Sequence, residues 1–217
     1  MLHTPKQTRS KKTLERILTA ARFLMSRSGV EAVGITQIVK EAKSSVGSFY
    51  ARFDGKEDLV RYLHELLWDE ATRRWEGGLE KWSSRLDTPD RVSVLVELIQ
   101  DAVSPDQRLR ASLTRVMGEE GARARTGFDS RVTRDAVTLL DGDEGIRHPQ
   151  PATCIPLGVQ IALSSLRDRP SGDSDPLSAN LPGELTTALR GYWGVGRVVQ
   201  RDGLTPETQV EYFDIWS

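Results

Sequence analysis

The sequence predicts an all-α protein. Apolar residues recur at helical spacing along most of the chain, and no segment shows the strict alternation of a half-buried β-strand. The 217 residues, 38% of them hydrophobic, are enough for a packed core and fit a small domain followed by a larger one. We expect the two domains to comprise residues 1–55 and 56–217.

The first domain is predicted to contain a long first helix followed by two short helices. A single apolar stripe marks the first helix, and Gly29 follows as its terminating residue. A short second helix is predicted with Thr36 as its N-cap, and a third from about Ser45 to Phe53. The stripe of the first helix consists of Leu14, Ile17, Leu18, Ala21, Leu24 and Met25.

The second domain is predicted to be entirely helical. Asp54 and Glu57 predict the capped start of a long helix that runs to about Trp82. Proline at likely first turns predicts helices near 89–103 and 105–117. Apolar stripes predict further helices at 129–140, 155–166 and 185–193, and a segment rich in proline, glycine and serine, Pro170 to Pro182, predicts a mobile loop.

The charge of the chain is unevenly distributed. Residues 1–53 contain ten Lys/Arg and three Asp/Glu, a net charge of +7, and the remainder contains twenty and twenty-eight, a net charge of −8. A basic head on an acidic body indicates that the head binds a polyanion, although chance clustering would give the same pattern. The single cysteine cannot form an internal disulfide, and the chain has neither a secretory signal nor a membrane span, so a cytoplasmic location is expected.

Residues 35–59 have the layout of a helix-turn-helix, in which two short helices are joined by a tight turn. The second short helix of such a unit lies in the major groove, where each base pair presents a distinct donor and acceptor pattern. Its first turn, Ser45 to Ser48, is small enough for close approach to bases. Phe49 and Phe53 should point inward and Tyr50 outward, and Lys56 begins the next helix, where an anion is favoured.

Residues 10–65 resemble the tetracycline-repressor (TetR) family of transcription regulators. The preceding helix matches through Ile17, Leu18, Ala20, Ala21, Phe23 and Gly29. The helix-turn-helix matches through Thr36, Ile38, Ala42, Ser45, Gly47, Ser48, Phe49, Tyr50, Phe53, Lys56, Glu57 and Leu59. Beyond this segment, only the number and order of the helices are similar to the family.

The resemblance implies a homodimeric repressor that binds a palindromic operator and leaves it when a small ligand binds the C-terminal domain. It also implies dimer contacts through the helices near 151–167 and 181–194, although their apolar stripes could instead be core. On the resemblance, Gln37, Val46 and Gly47 face bases. Phosphates are contacted by Thr36, Ser45, Ser48, Tyr50 and Lys56.

Two residues in the turn depart from the family pattern. Lys43 and Ser44 stand where glycine and a buried apolar residue are usual, which costs about 1 kcal/mol for positive φ and ~1–2 kcal/mol for the missing apolar packing. Val46 replaces a common lysine and could contact a thymine methyl group. The alternative function is therefore a regulator-like protein of weak DNA affinity, which acts through a protein partner or as a ligand-binding module.

Tryptophans spaced by seven on the long helix suggest a cavity for an unknown small apolar ligand. The predicted lining residues are His64, Trp68, Trp75, Ile99 and Met117, and core packing is the competing interpretation. No motif for a nucleophile, a metal or a nucleotide cofactor is present, so an enzyme is disfavoured and neither a cofactor nor a metal is expected.

Overall fold

A computed structural model of the chain describes residues 4–83, 85–167 and 176–196. Within these ranges the secondary structure consists of α-helices without a β-strand, which confirms the all-α prediction. The helices are α1 (Thr4–Ser28), α2 (Ile35–Glu41), α3 (Val46–Tyr50), α4 (Lys56–Leu79), α5 (Thr88–Val103), α6 (Gln107–Val116), α7 (Gly118–Leu140), α8 (Pro151–Arg167) and α9 (Pro176–Tyr192).

The chain divides into two compact units. Unit 1 contains Met1–Thr72 and Pro105–Phe128, and unit 2 contains Arg73–Ser104 and Asp129–Ser217. The division falls within α4 and within α7. This division describes packing within one chain. The predicted boundary between a DNA-binding domain and a regulatory domain at residue 55 stays a prediction.

Unit 1 is built on one apolar core that joins α1, α2, α3, the first part of α4 and α6. The stripe predicted for α1 lies in this core: Ile17 and Ala21 are fully buried, and Met25 is 1% exposed. Gly29 ends α1 with φ of 86°, and its N–H donates to the carbonyl oxygen of Met25 at 3.0 Å. This left-handed conformation is why glycine occupies the position.

Some helix ends differ from the predictions. Thr36 is not the N-cap of α2: Gly34 is the cap, and the Gln37 side chain accepts a hydrogen bond from its N–H at 2.7 Å. Ser45 is the N-cap of α3, since its side chain accepts from the N–H of Ser48, and the helix ends at Tyr50 rather than at Phe53. At the start of α4, the side chain that accepts from the Asp54 N–H is Asp58, not Glu57, and the helix ends at Leu79 rather than near Trp82.

In α7 and α9 the chain is more helical than predicted. α7 begins at Gly118, whereas the sequence predicted a start near 129, because its first ten residues are polar and glycine-containing and show no apolar stripe. The predicted loop from Pro170 to Pro182 is partly wrong: α9 begins at Pro176 and has a kink at Asn180 (φ −137°, ψ 29°). Residues 168–175 lie outside the described part of the chain.

Unit 2 packs α5, α8 and α9 together. The stripes predicted on α8 and α9 are core residues of this unit, with Leu163 fully buried and Leu189 2% exposed. The Trp193 indole N–H donates to the carbonyl oxygen of Cys154 at 2.9 Å, and a Cβ on Gly158 would come within 2.6 Å of the Trp193 ring. In the described ranges, none of the helices has both the length and the hydropathy to span a membrane.

Candidate functional site

α3 is held in place by the aromatic residues on its inner side. Phe49 is fully buried, and its ring centroid lies 5.4 Å from that of Phe53. Phe53 in turn contacts Tyr62 of α4 edge to face, with a centroid distance of 5.7 Å. These contacts within the core of unit 1 fix the rotation of a helix that is only 5 residues long and would not be stable alone.

The opposite side of α3 faces solvent. Val46 is 44% exposed and Tyr50 is 54% exposed, and Gly47 between them adds no side chain. The inward and outward orientations of Phe49 and Tyr50 agree with the sequence analysis, whereas contact with DNA stays a prediction. A large exposed valine and tyrosine on an anchored helix form a surface that can enter a groove.

Apart from Tyr50 at the end of α3, the predicted DNA-contacting side chains of unit 1 lie at or near the starts of α2, α3 and α4. The Ser45 and Ser48 hydroxyls are hydrogen-bonded at 3.0 Å, and Thr36 and Gln37 are exposed in the first turn of α2. Lys56 Nζ donates to the Glu31 carbonyl oxygen at 2.9 Å. Because an ammonium group has three donors, this bond leaves Lys56 able to contact a phosphate as well.

The turn between α2 and α3 has the unfavourable features expected from its sequence. Lys43 has φ of 48°, a conformation that favours glycine. The Ser44 hydroxyl oxygen is buried and, within the described residues, has no hydrogen-bond partner. The turn forms nonetheless, since the Ser44 backbone N–H donates to the Val39 carbonyl at 2.9 Å. An unsatisfied buried hydroxyl costs about 1–3 kcal/mol.

Sequence reasoning missed Arg52, which connects α3 to α1. Its guanidinium donates to the Ser48 carbonyl at 2.5 Å, and to the Ser10 carbonyl and hydroxyl oxygens at 3.2 and 3.1 Å. These bonds fix α1 against the carboxyl end of α3. No periodic signal in the sequence could have indicated this pair, since the two residues are 42 positions apart.

A second ionic contact missed by sequence reasoning joins α1 to α4 and α6 within unit 1. Arg22 donates to both carboxylate oxygens of Glu70, at 2.9 and 3.0 Å, and also to the carboxylate of Asp106. Asp106 is the N-cap of α6 and has φ of 55°, so the ion pair holds it in a conformation that is unfavourable for a non-glycine residue. The contact fixes α1 against the two helices that follow the helix-turn-helix in unit 1.

Three predicted ligand-binding residues lie in unit 1. Trp68 and His64 are buried, and the Trp68 indole N–H donates to His64 Nε2 at 3.0 Å. Burial lowers the pKa of His64, and a nearby carboxylate, Glu120, partly opposes that shift, so the ring is neutral near pH 7. The guanidinium of Arg110 lies 5.1 Å from the Trp68 ring centroid. Met117 packs at the edge of the core.

The other two predicted ligand-binding residues lie in unit 2. Trp75 is fully buried, and its indole N–H donates to Asp135 Oδ2 at 2.8 Å. Ile99 is fully buried on α5. Core packing explains the position of both residues, and ligand contact stays a prediction.

The comparisons with known proteins agree with this architecture. A family profile described as bacterial regulatory proteins, tetR family, matches residues 17–63. The HTH-type transcriptional regulator YvdT of Bacillus subtilis (strain 168) is 31% identical over 103 residues, which cover 46% of this chain and 52% of YvdT. The chain therefore spans about half the length of this curated relative.

Solved structures share the fold at low sequence identity. GusR of Salmonella enterica has a TM-score of 0.60 at 20% identity, covering 84% of this chain and 95% of GusR. A tetR-family regulatory protein from Rhodococcus RHA1 also has a TM-score of 0.60, at 18% identity, covering 85% of this chain and 98% of that one.

The described residues are helical throughout their regular structure, and the anchored, solvent-facing third helix gives the N-terminal part the architecture of a helix-turn-helix protein. More particularly, residues 17–63 are similar to the tetR family of bacterial regulatory proteins, in the segment where the sequence carries the resemblance. The matched proteins are regulators rather than enzymes, in agreement with the sequence analysis.

Proposed function

We propose that this regulator is a dimeric repressor that inserts α3 into the major groove of a palindromic operator and dissociates when a small apolar ligand binds. The observation that carries the DNA proposal is the solvent-facing side of α3, with Val46 and Tyr50 exposed opposite the buried Phe49. The net charge of +7 over residues 1–53 supports it, because the phosphate backbone supplies most of the binding free energy. A cytoplasmic location follows from the DNA partner.

In this proposal each exposed residue has a defined role. Gln37, Val46 and Gly47 face bases, although the Gln37 carboxamide oxygen is already bonded to Gly34 and so offers its NH₂ group. Backbone contacts come from the hydroxyl and ammonium groups, which carry no sequence information. Those residues are Thr36, Ser45, Ser48, Tyr50 and Lys56.

The experiment that tests DNA binding is a gel shift against the DNA upstream of the protein's own gene, followed by substitutions on α3 and α4. Tyr50→Phe and Lys56→Ala should each weaken binding about 2–10-fold, equally for operator and mutated operators, because both side chains are proposed to bind phosphates alone. Val46→Ala should change the preference at one base pair. If Lys56→Ala altered base preference and Val46→Ala did not, the proposed orientation of α3 would be wrong.

The dimer proposal rests on the exposed side of α8. Leu157 is 48% exposed and Ile161 is 44% exposed, one turn apart, and the only charged residue of the helix is Arg167 at its end. Arg167 pairs with Asp129 of the same chain at 2.7 Å. Because α8 has 17 residues and its one charged side chain is paired, its exposed apolar side is expected to be buried against a second copy. A two-fold dimer also fits a palindromic operator.

The ligand proposal is the regulatory part of the function. A small molecule releases DNA only if it binds the non-DNA conformation more tightly, and 1–3 kcal/mol of coupling gives ~5–150-fold release. In unit 1 its proposed contacts are His64, Trp68 and Met117, where the aromatic ring of Trp68 also contacts Phe128 at 5.4 Å. Trp75 and Ile99, the other two residues predicted to contact it, lie in the core of unit 2.

The conformation of Lys43 and the buried Ser44 hydroxyl favour a second candidate, a regulator whose weak DNA-binding head depends on a partner protein. Lys43→Gly/Ser44→Val should raise the free energy of unfolding by about 2–3 kcal/mol, because it relieves the positive φ and the unsatisfied hydroxyl. Urea unfolding measures this, and Lys40→Gly, in the helical part of α2, is the control that should lose about 1 kcal/mol.

Operator affinity of the same double variant separates the two candidates. In the second candidate only a fraction of the molecules has a folded DNA-binding domain. The stabilised variant should then bind the operator at least about tenfold more tightly than the natural sequence, because that fraction increases. Equal affinities would remove its motivation and leave the repressor.

A further inference from the structure

The solvent-facing side of α1 carries a second basic surface, which the helix-turn-helix motif does not include. Lys11, Lys12 and Arg16 are exposed, and none of them forms an ion pair with any described residue. We call these three residues the α1 basic surface. Lys12 and Arg16 also line an open groove of about 710 Å³ between α1 and the end of α2, which Lys43 borders.

The charge of this part of α1 is unfavourable for the helix itself. Four basic residues and no acidic residue occur from Thr4 to Leu14, and Glu15 is the first acidic residue of the chain. Lys12 and Arg16 lie four residues apart, and like charges at this spacing destabilise a helix by about 0.2–0.5 kcal/mol. A polyanionic partner offsets this repulsion.

The position of this surface is fixed relative to α3. Arg52 holds Ser10, the residue directly before Lys11, by two hydrogen bonds, and holds the Ser48 carbonyl of α3 by a third. The part of α1 around Ser10 therefore lies beside the carboxyl half of α3. Elements that flank a helix in the major groove face the phosphates at the groove edge.

We propose that Lys11, Lys12 and Arg16 bind the phosphates beside the major groove occupied by α3, with Arg52 as the residue that positions them. This inference rests on the proposed DNA binding and adds a phosphate-binding surface on α1. The partner is duplex DNA, because the surface is continuous with the proposed groove-binding helix and has the opposite charge. An acidic protein segment is the competing occupant, and the test below separates the two.

The test measures binding to a short fluorescent duplex of arbitrary sequence by anisotropy, between about 50 and about 200 mM salt, since phosphate contacts do not depend on base sequence. The logarithm of the association constant falls linearly with the logarithm of the salt concentration, and this slope should become less steep by about 0.9 for each phosphate that the protein no longer neutralises. A dimer carries four of these lysines, so Lys11→Gln/Lys12→Gln should make the slope less steep by up to about 3.6. Lys11→Arg/Lys12→Arg retains the charge and should keep the wild-type slope.

The matched control removes two exposed positive charges from α7, as Arg123→Gln/Arg125→Gln. This control should leave the slope unchanged. Equal slopes for the wild type and Lys11→Gln/Lys12→Gln would overturn the inference and leave an acidic protein as the partner of this surface. The same shift in the control variant would also overturn it, because net charge alone would then explain the effect. Wild-type protein without salt-dependent DNA binding would instead refute the proposed function.

Discussion

Ile161→Glu should break the proposed dimer into a folded monomer that no longer binds the proposed operator. Ile161 is 44% exposed in the single chain, so the substitution leaves the core of unit 2 intact. In a two-fold dimer both copies would bury the new carboxylate in an apolar interface, at a cost of several kcal/mol, on the order of 10³-fold in dimer affinity. Sedimentation analysis gives the oligomeric state, and circular dichroism reports whether the helices remain.

Two other substitutions separate an interface effect from a folding effect. Val116→Glu is the matched control, since Val116 is 43% exposed on α6, outside the proposed interface, and the variant should remain dimeric. Leu163→Glu places a carboxylate at a fully buried position of the same helix as Ile161 and should unfold unit 2. A dimer that survives both Ile161→Glu and Leu157→Glu would mean that the α8 surface is not the interface.

Apolar periodicity predicted the parts of the fold in which one helix face meets one core. The stripe of α1 and the inward orientation of Phe49 are examples, because burial of a continuous apolar face is the largest favourable free-energy term of folding. The solvent-facing orientation of Val46 and Tyr50 follows from the same periodicity. The geometry of the candidate DNA-binding helix was therefore available from the sequence alone.

The same periodicity cannot tell a core stripe from an interface stripe. Leu163 and Leu189 were candidates for both, and they pack within unit 2, whereas the exposed apolar residues of α8 are Leu157 and Ile161. A helix buried on one side by its own chain and on the other by a second copy is apolar nearly all round. The sequence therefore marks such a helix as buried without assigning its two faces.

Polar contacts between distant residues were also beyond the sequence. Arg52 with Ser10, and Arg22 with Glu70 and Asp106, join helices that only the tertiary fold brings together. The N-cap of α2 shows the same limit at short range. Thr36 has the preferred chemistry for a cap, but the Gln37 side chain bonds the Gly34 N–H, and the helix begins earlier.

Trp75→Ala should lower the free energy of unfolding by about 3–5 kcal/mol, which is the usual cost of deleting a large buried side chain. Trp75 is fully buried in unit 2, and its removal would leave a cavity and delete the indole donor to Asp135, now 2.8 Å from the carboxylate. Trp75→Phe fills most of the space and should cost about 1–2 kcal/mol, mainly for the missing hydrogen bond. Urea unfolding followed by circular dichroism measures both variants.

Trp82→Ala is the control, because Trp82 is the third tryptophan of the heptad series, is partly exposed and lies beyond the end of α4. Its removal should cost clearly less than the removal of Trp75. Equal costs would contradict a core role for Trp75 and favour its assignment as a ligand contact. A large difference, with Trp75→Phe costing no more than about 2 kcal/mol, would assign Trp75 to the core. Trp68, beside His64 and Arg110, would then be the tryptophan to test for ligand binding.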